Sequence, residues 1–274
     1  MSDTPGERDA QYAHDRELYL THDPYAGHEL ELKLAVDRAV DPLELVADLE
    51  SRLRAGGLRP YLWDPFWSAQ KGYVGAGTLT LDTYVFARPA ADGPASEAFK
   101  VVVGLGKCRL RRKELQAVDA AADGARPFVI DRTEHDTVLD ATDVLGVLTA
   151  IEAQAAARGE PITYVGHYRR HLKCLACINA ETQHRYALMA DRCASGRREE
   201  ALQQIEIEYI WRRAPLGRPF TREELYEDMG RLAGRLMETY APLSLTRETK
   251  FAWLTGRDPG RRGQPLSCAG ASSA

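Results

Sequence analysis

Five separated segments of this chain alternate ionisable and apolar side chains with a period of two. Such a pattern fits a β-strand whose two faces meet different surroundings. Glu29, Glu31 and Lys33 alternate with Leu30, Leu32 and Leu34. Lys107, Arg109, Arg111 and Lys113 enclose Cys108 and Leu110, and Arg132, Glu134 and Asp136 form a third row. His167, Arg169, His171 and Lys173 form a fourth, while Glu206 and Glu208 alternate with Ile205, Ile207 and Tyr209. A solvated sheet face with cross-strand ion pairs explains any single row. Such a face usually mixes signs and includes Thr, Ser and Gln. These rows are nearly all ionisable, and their signs segregate: three are mostly acidic and two wholly basic. The segregation favours a closed barrel with the charges inside, where burial is tolerated only if they pair with metal, phosphate or each other. The expected class is therefore mainly β (α+β): a closed antiparallel β-barrel with helices packed outside over the apolar strand faces.

The remaining punctuation supports a single domain. Residues 1–24 are polar without apolar periodicity and read as a flexible arm. Residues 257–274, rich in Gly, Pro, Arg and Ser, read as a disordered tail. Between them, 25–256 carries no linker or repeat. Asp41-Pro42 opens a helix to about Arg54, with Asp at the N-cap and Pro at the first helical position. Strands are expected at His28–Val36, Thr78–Phe86, Phe99–Val103, Lys107–Lys113, Pro127–Asp136, Ile162–Cys177, His184–Asp191 and Gln203–Trp211. Helices are expected from Asp140 or Thr142 to Arg158, from Thr221-Arg-Glu-Glu to Tyr240, and over Arg247–Leu254.

A net charge of −4 provides no global attraction to nucleic acid or to an anionic membrane, so any basic site must be local. The chain has no apolar stretch of about 18 residues and no signal-peptide pattern. These features imply a cytoplasmic protein, monomeric or homodimeric, with no nucleic-acid or membrane partner. Cys174-Leu-Ala-Cys177 has zinc-like spacing, but no second CxxC or histidine pair accompanies it, and alternation puts its two thiols on opposite faces. The five cysteines read as free thiols.

In order along the chain, these residues resemble the CYTH, or triphosphate tunnel metalloenzyme, superfamily. Its ExExK strand is matched by Glu29, Glu31 and Lys33, and its late Asp followed by ExE is matched by Asp191 with Glu206 and Glu208. Thr249-Lys250-Phe251 is similar to its closing Lys-aromatic segment. Asp82-Thr83-Tyr84, Arg109-Leu-Arg111, Arg132-Thr-Glu134 and His167-Tyr-Arg169 resemble its middle strands, with His in place of Lys in the last. The family's lysine strand has no match between Arg111 and Arg132, and a one-residue slip would substitute Arg170 for Arg169.

The resemblance implies a tunnel in which Glu29, Glu31, Asp191, Glu206 and Glu208 hold Mg²⁺ or Mn²⁺, ions suited to all-oxygen ligands. It implies phosphate binding by Lys33, Arg109, Arg111, Arg132, Arg169 and Lys250, and catalytic roles for Glu29, Glu31 and Lys33. The implied reaction is metal-dependent hydrolysis of inorganic triphosphate, thiamine triphosphate or a nucleoside triphosphate. A class IV-type adenylyl cyclase, a non-catalytic polyphosphate- or nucleotide-binding module, and a plain interaction β domain remain as alternatives.

Overall fold

The computed structural model describes residues 25, 28–64, 77–90, 93–119, 129–139, 144–159, 161–212 and 220–256. The expected arm, the expected tail with Cys268, and the start of the second expected helix lie outside them. The strands are β1 (His28–Val36), β2 (Tyr61–Trp63), β3 (Leu79–Ala90), β4 (Gly93–Gly104), β5 (Lys107–Asp119), β6 (Val129–Leu139), β7 (Thr163–Asn179), β8 (His184–Ala194), β9 (Leu202–Arg212) and β10 (Leu243–Leu245). The helices are α1 (Pro42–Arg54), α2 (Val144–Ala157), α3 (Arg222–Thr239) and α4 (Lys250–Thr255).

Eight strands pair antiparallel in the order β1-β6-β5-β4-β3-β7-β8-β9, and β9 returns to β1. The ring is closed, so these strands form a barrel as the alternating rows imply. Closure is fixed by register, with Glu31 opposite Glu208 and Lys33 opposite Glu206. A slip of one residue would turn every charge on β1 outward and every leucine inward. The two short strands lie off the ring: β2 pairs with β7 and β10 with β1. At three residues each, they carry too little periodicity to be read from sequence.

Local chemistry sets the element ends. The Asp41 carboxylate accepts from Leu43 N at 2.9 Å, and Pro42 occupies the first helical position of α1. Thr221 and Glu224 form a reciprocal capping box on α3. For α4, the hydroxyl of Thr249 accepts from Ala252 N at 3.0 Å, and Gly256 ends the helix at φ +70°. The helix expected from Arg247 therefore begins only at Lys250. Between β4 and β5, Leu105 and Gly106 both have positive φ, which suits the tight turn of a twisted hairpin.

The apolar strand faces point outward beneath helices. Leu30, Leu32, Leu34, Leu188, Ile205 and Ile207 pack with Val46 and Leu49 of α1 and with Leu225, Met229 and Leu232 of α3. Each fully buried leucine contributes about 1.5–3 kcal/mol. Val147, Leu148 and Ile151 of α2 pack on a second outer cluster of Phe86, Phe99, Val101 and Cys108. Cys177 belongs to the outer core, whereas Cys174 packs with Ala176, Ala187 and Ile210. The two thiols are thus on opposite sides of β7, as alternation requires.

Candidate active site

The pairing register carries one inner face around the whole ring. From Glu29, Glu31 and Lys33 it passes to Arg132 and Glu134 of β6, then to Arg109, Arg111 and Lys113 of β5. It continues through Lys100 of β4, Thr83 and Val85 of β3, and Tyr168 and Arg170 of β7. It ends on Asp191 of β8 and Glu206 and Glu208 of β9. All five expected carboxylates thus share the face that carries Arg109, Arg111 and Arg132. Lys250 enters from α4, whose Phe251, Trp253 and Leu254 pack with Val85, Tyr168, Cys193 and Leu202 at one end of the barrel.

Inside, each carboxylate described by a contact meets a cation. Lys33 Nζ donates to Glu206 Oε1 at 2.6 Å and lies 3.3 Å from Glu31 Oε1. Arg132 Nη1 lies 2.9 Å from the same Glu31 oxygen. Lys113 Nζ reaches Glu29 Oε1 at 2.5 Å and Glu134 Oε2 at 3.2 Å. The guanidinium of Arg111 binds both oxygens of Asp136, at 2.9 and 2.8 Å. Arg170 grips Asp191 with two nitrogens and reaches Glu206 Oε2 at 3.3 Å. Lys250 Nζ bridges the same two acids, 2.6 Å from Asp191 Oδ2 and 2.7 Å from Glu206 Oε1.

These contacts decide the protonation states. Burial pushes the Glu31 carboxyl upward, but Lys33, Lys113 and Arg132 outweigh it and bring the pKa to about 2. Burial likewise opposes ionisation of Glu206, and Lys250, Lys33 and Arg170 hold it well below the ordinary range. Burial lowers Lys113, yet Glu29, Glu31 and Glu134 raise it above the usual lysine value. Lys100 goes the other way. Burial, reinforced by Lys113 and Lys250, depresses it despite Glu97, whose Oε2 lies 3.0 Å from its ammonium. A buried array of this kind adds little net stability, because desolvation offsets most of the attraction.

Arg169 requires a correction. It lies on the outer face of β7, exposed, where its guanidinium binds Asp82 at 2.9 and 3.3 Å beside His167. The row of His167, Arg169 and His171 was expected inside. The ladder instead sets Thr83 opposite Tyr168 and Leu81 opposite Arg170, so Arg170 faces the lumen. Asp82 turns outward with Arg169 for the same reason. Outer charges are tolerated here because this part of the wall meets solvent. Tyr168 takes the inner position instead, buried against Trp253 of α4, a contact that only the fold supplies.

Lys100, Glu97 and Lys113 were not assigned to the site from sequence. Lys100 stands between Phe99 and Val101, and that isolated charge in an apolar strand was the available signal. Lys113 belonged to a row already recognised.

The carboxylates suit a hard cation by donor chemistry. Glu31 Oε1 is buried without a hydrogen bond of good geometry despite its two cationic neighbours, and Glu29 Oε2 is buried without a hydrogen-bond partner. Among the described residues, however, no three metal-ligating side chains already converge. Lys33, Lys250 and Arg170 stand between them.

The described residues thus form a closed antiparallel barrel with an ionised inner wall, the tunnel architecture that the ExExK resemblance implies. No protein-family model matches the chain, and no curated protein matches it. Solved structures overlie it at low identity, two of them as follows. HpAC1 from Hippeastrum, a candidate adenylyl cyclase with a dominant triphosphatase activity, is 17% identical, covers 84% of this chain and 96% of its own, and has a TM-score of 0.45. The S. pombe RNA triphosphatase Pct1 is 10% identical, with 76% of this chain and 80% of its own covered, at a TM-score of 0.32.

Proposed function

We propose that this protein is a metal-dependent triphosphatase that binds its substrate inside the barrel. The carrying observation is the distribution of charge on the inner wall: Glu29, Glu31, Asp191, Glu206 and Glu208 lie on neighbouring strands β1, β8 and β9 around Lys33, while Arg109, Arg111, Lys113 and Lys100 lie on β5 and β4, beside Glu134 and Asp136 of β6. The acidic sector would hold Mg²⁺ or Mn²⁺, whose charge neutralises phosphate oxygens and orients an attacking water. The basic sector would hold the phosphate chain, with Arg111 and Arg132 suited to paired donation and Lys33 and Lys100 acting as point charges. Arg170 takes the place of Arg169 in this reading. Glu29, Glu31 and Lys33 act by placing metal and phosphate together, and Lys250 contributes a further ammonium.

The test is incubation with tripolyphosphate, thiamine triphosphate or ATP in the presence of Mg²⁺ or Mn²⁺, with identification of the products. Orthophosphate release that requires the metal is expected. Cyclic nucleotide with pyrophosphate would indicate the cyclase reading, and binding without turnover a module.

A further inference from the structure

Lys250 occupies an unusual place among the lumen cations. Its ammonium bridges Asp191 Oδ2 and Glu206 Oε1 at 2.6 and 2.7 Å, and its side chain is almost wholly buried. Both oxygens belong to the acids assigned to the metal. Mg²⁺ coordinates carboxylate oxygen at roughly 2.0–2.1 Å, and an ammonium already in contact with that oxygen competes with the ion for it and repels its charge at short range. The other cations on this pair, Lys33 and Arg170, are rooted in barrel strands whose ladders hold them in place. Lys250 is instead the first residue of a six-residue helix that packs on the barrel through Phe251, Trp253 and Leu254. Of the three, it can leave at the smallest cost to the fold.

Resting on the metal-dependent reading above, we infer that Lys250 is an internal stand-in for the metal, which a divalent ion must displace from Asp191 and Glu206. Displacement removes the ion pairs that anchor the start of α4 and frees the ammonium for the lumen. Metal affinity is therefore reduced by the fraction of molecules in which the lysine holds the acids. Linkage makes the effect reciprocal: the bound metal weakens the docking of α4.

The experiment uses the full chain and Mn²⁺ alone, without substrate. Calorimetry compares Mn²⁺ binding to the wild type and to Lys250→Met, which keeps the aliphatic stem and removes the charge. Amide exchange over 250–256 is followed in the wild type with and without saturating Mn²⁺. Roughly ten-fold or tighter binding by the variant is expected, with faster exchange at Trp253 and Gly256, whose amides donate to Thr249 and Trp253 carbonyls. Equal affinity in the two proteins, or unchanged α4 exchange in the Mn²⁺-saturated wild type, overturns the competition while leaving the metal reading intact. Absence of Mn²⁺ binding to both proteins overturns the metal reading and the competition together. Because the exchange measurement needs no variant, it decides the matter even if Lys250→Met fails to fold.

Discussion

At the scale of single residues, one step of register separates a lumen arginine from a surface one. Arg170 binds two buried acids, whereas Arg169 binds Asp82 in solvent. Arg170→Ala strands Asp191 and Glu206 with one fewer cation, and we expect a loss of about 3–5 kcal/mol in urea unfolding. Arg169→Ala should leave the unfolding midpoint unchanged. On β5 the same logic separates Arg111, facing Glu134 and Asp136, from exposed Arg112. Arg111→Ala should weaken tripolyphosphate binding roughly ten- to a hundred-fold by calorimetry. Arg112→Ala should bind as the wild type does. Reversal of either pair of outcomes would require the inner face to be reassigned.

At the scale of elements, a buried carboxylate of α3 gathers donors from several parts of the fold. Asp228 Oδ1 accepts from the Tyr61 hydroxyl and Asn179 Nδ2, both at 2.7 Å. Its Oδ2 accepts from the Thr182 and Tyr186 hydroxyls and faces His184 Nδ1, at 2.8, 2.7 and 2.9 Å. Burial opposes its ionisation, and the donors, His184 first, drive its pKa far below the usual carboxylate range. Asp228→Asn must turn an amide N–H₂ toward donors on one side, so unfolding should cost at least about 3 kcal/mol less. A stability near that of the wild type would mean that the network can repack. Little of this network was legible in the sequence, because its members come from β2, β7, the β7–β8 turn, β8 and α3, and only the fold brings them together. The starts of α1 and α3 were legible because Asp41 and Thr221 act within one turn, whereas the Thr249 cap was not, and α4 was expected three residues too early. β1 and α1 match their expected ends, His28–Val36 and Pro42–Arg54. The inward face of Glu29, Glu31, Glu206 and Glu208 was legible for a related reason: on β1 and β9 the charged residues alternate with Leu and Ile, so only one phase fits. On β7 polar and aromatic residues fill both faces, and alternation alone left the choice between Arg169 and Arg170 open.

At the scale of the whole molecule, the charged lumen makes stability depend on pH. The folded pKa of Glu31 is about 2 against an ordinary 4.5, and that of Glu206 is also depressed. The contribution of Glu31 is therefore complete above about pH 4.5 and is lost as the pH falls toward 2, and Glu206 adds a loss of the same sign on the acid side. Thermal unfolding midpoints should decline through that window, and Glu31→Gln should flatten part of the decline. An equally steep acid limb in the variant would show that other groups carry it. Barrel closure also has a consequence for synthesis. Lys33 and its partner Glu206 are separated by 173 residues, and β1 can meet β9 only after nearly the whole domain has been made. At about 5–20 residues per second, the first acidic strand leaves the ribosome roughly nine to thirty-five seconds before its closing partner. During that interval the sheet has open edges, and the row destined for the lumen stands in water. The same ionised side chains that later line the lumen keep the growing chain soluble while it waits for its last strand.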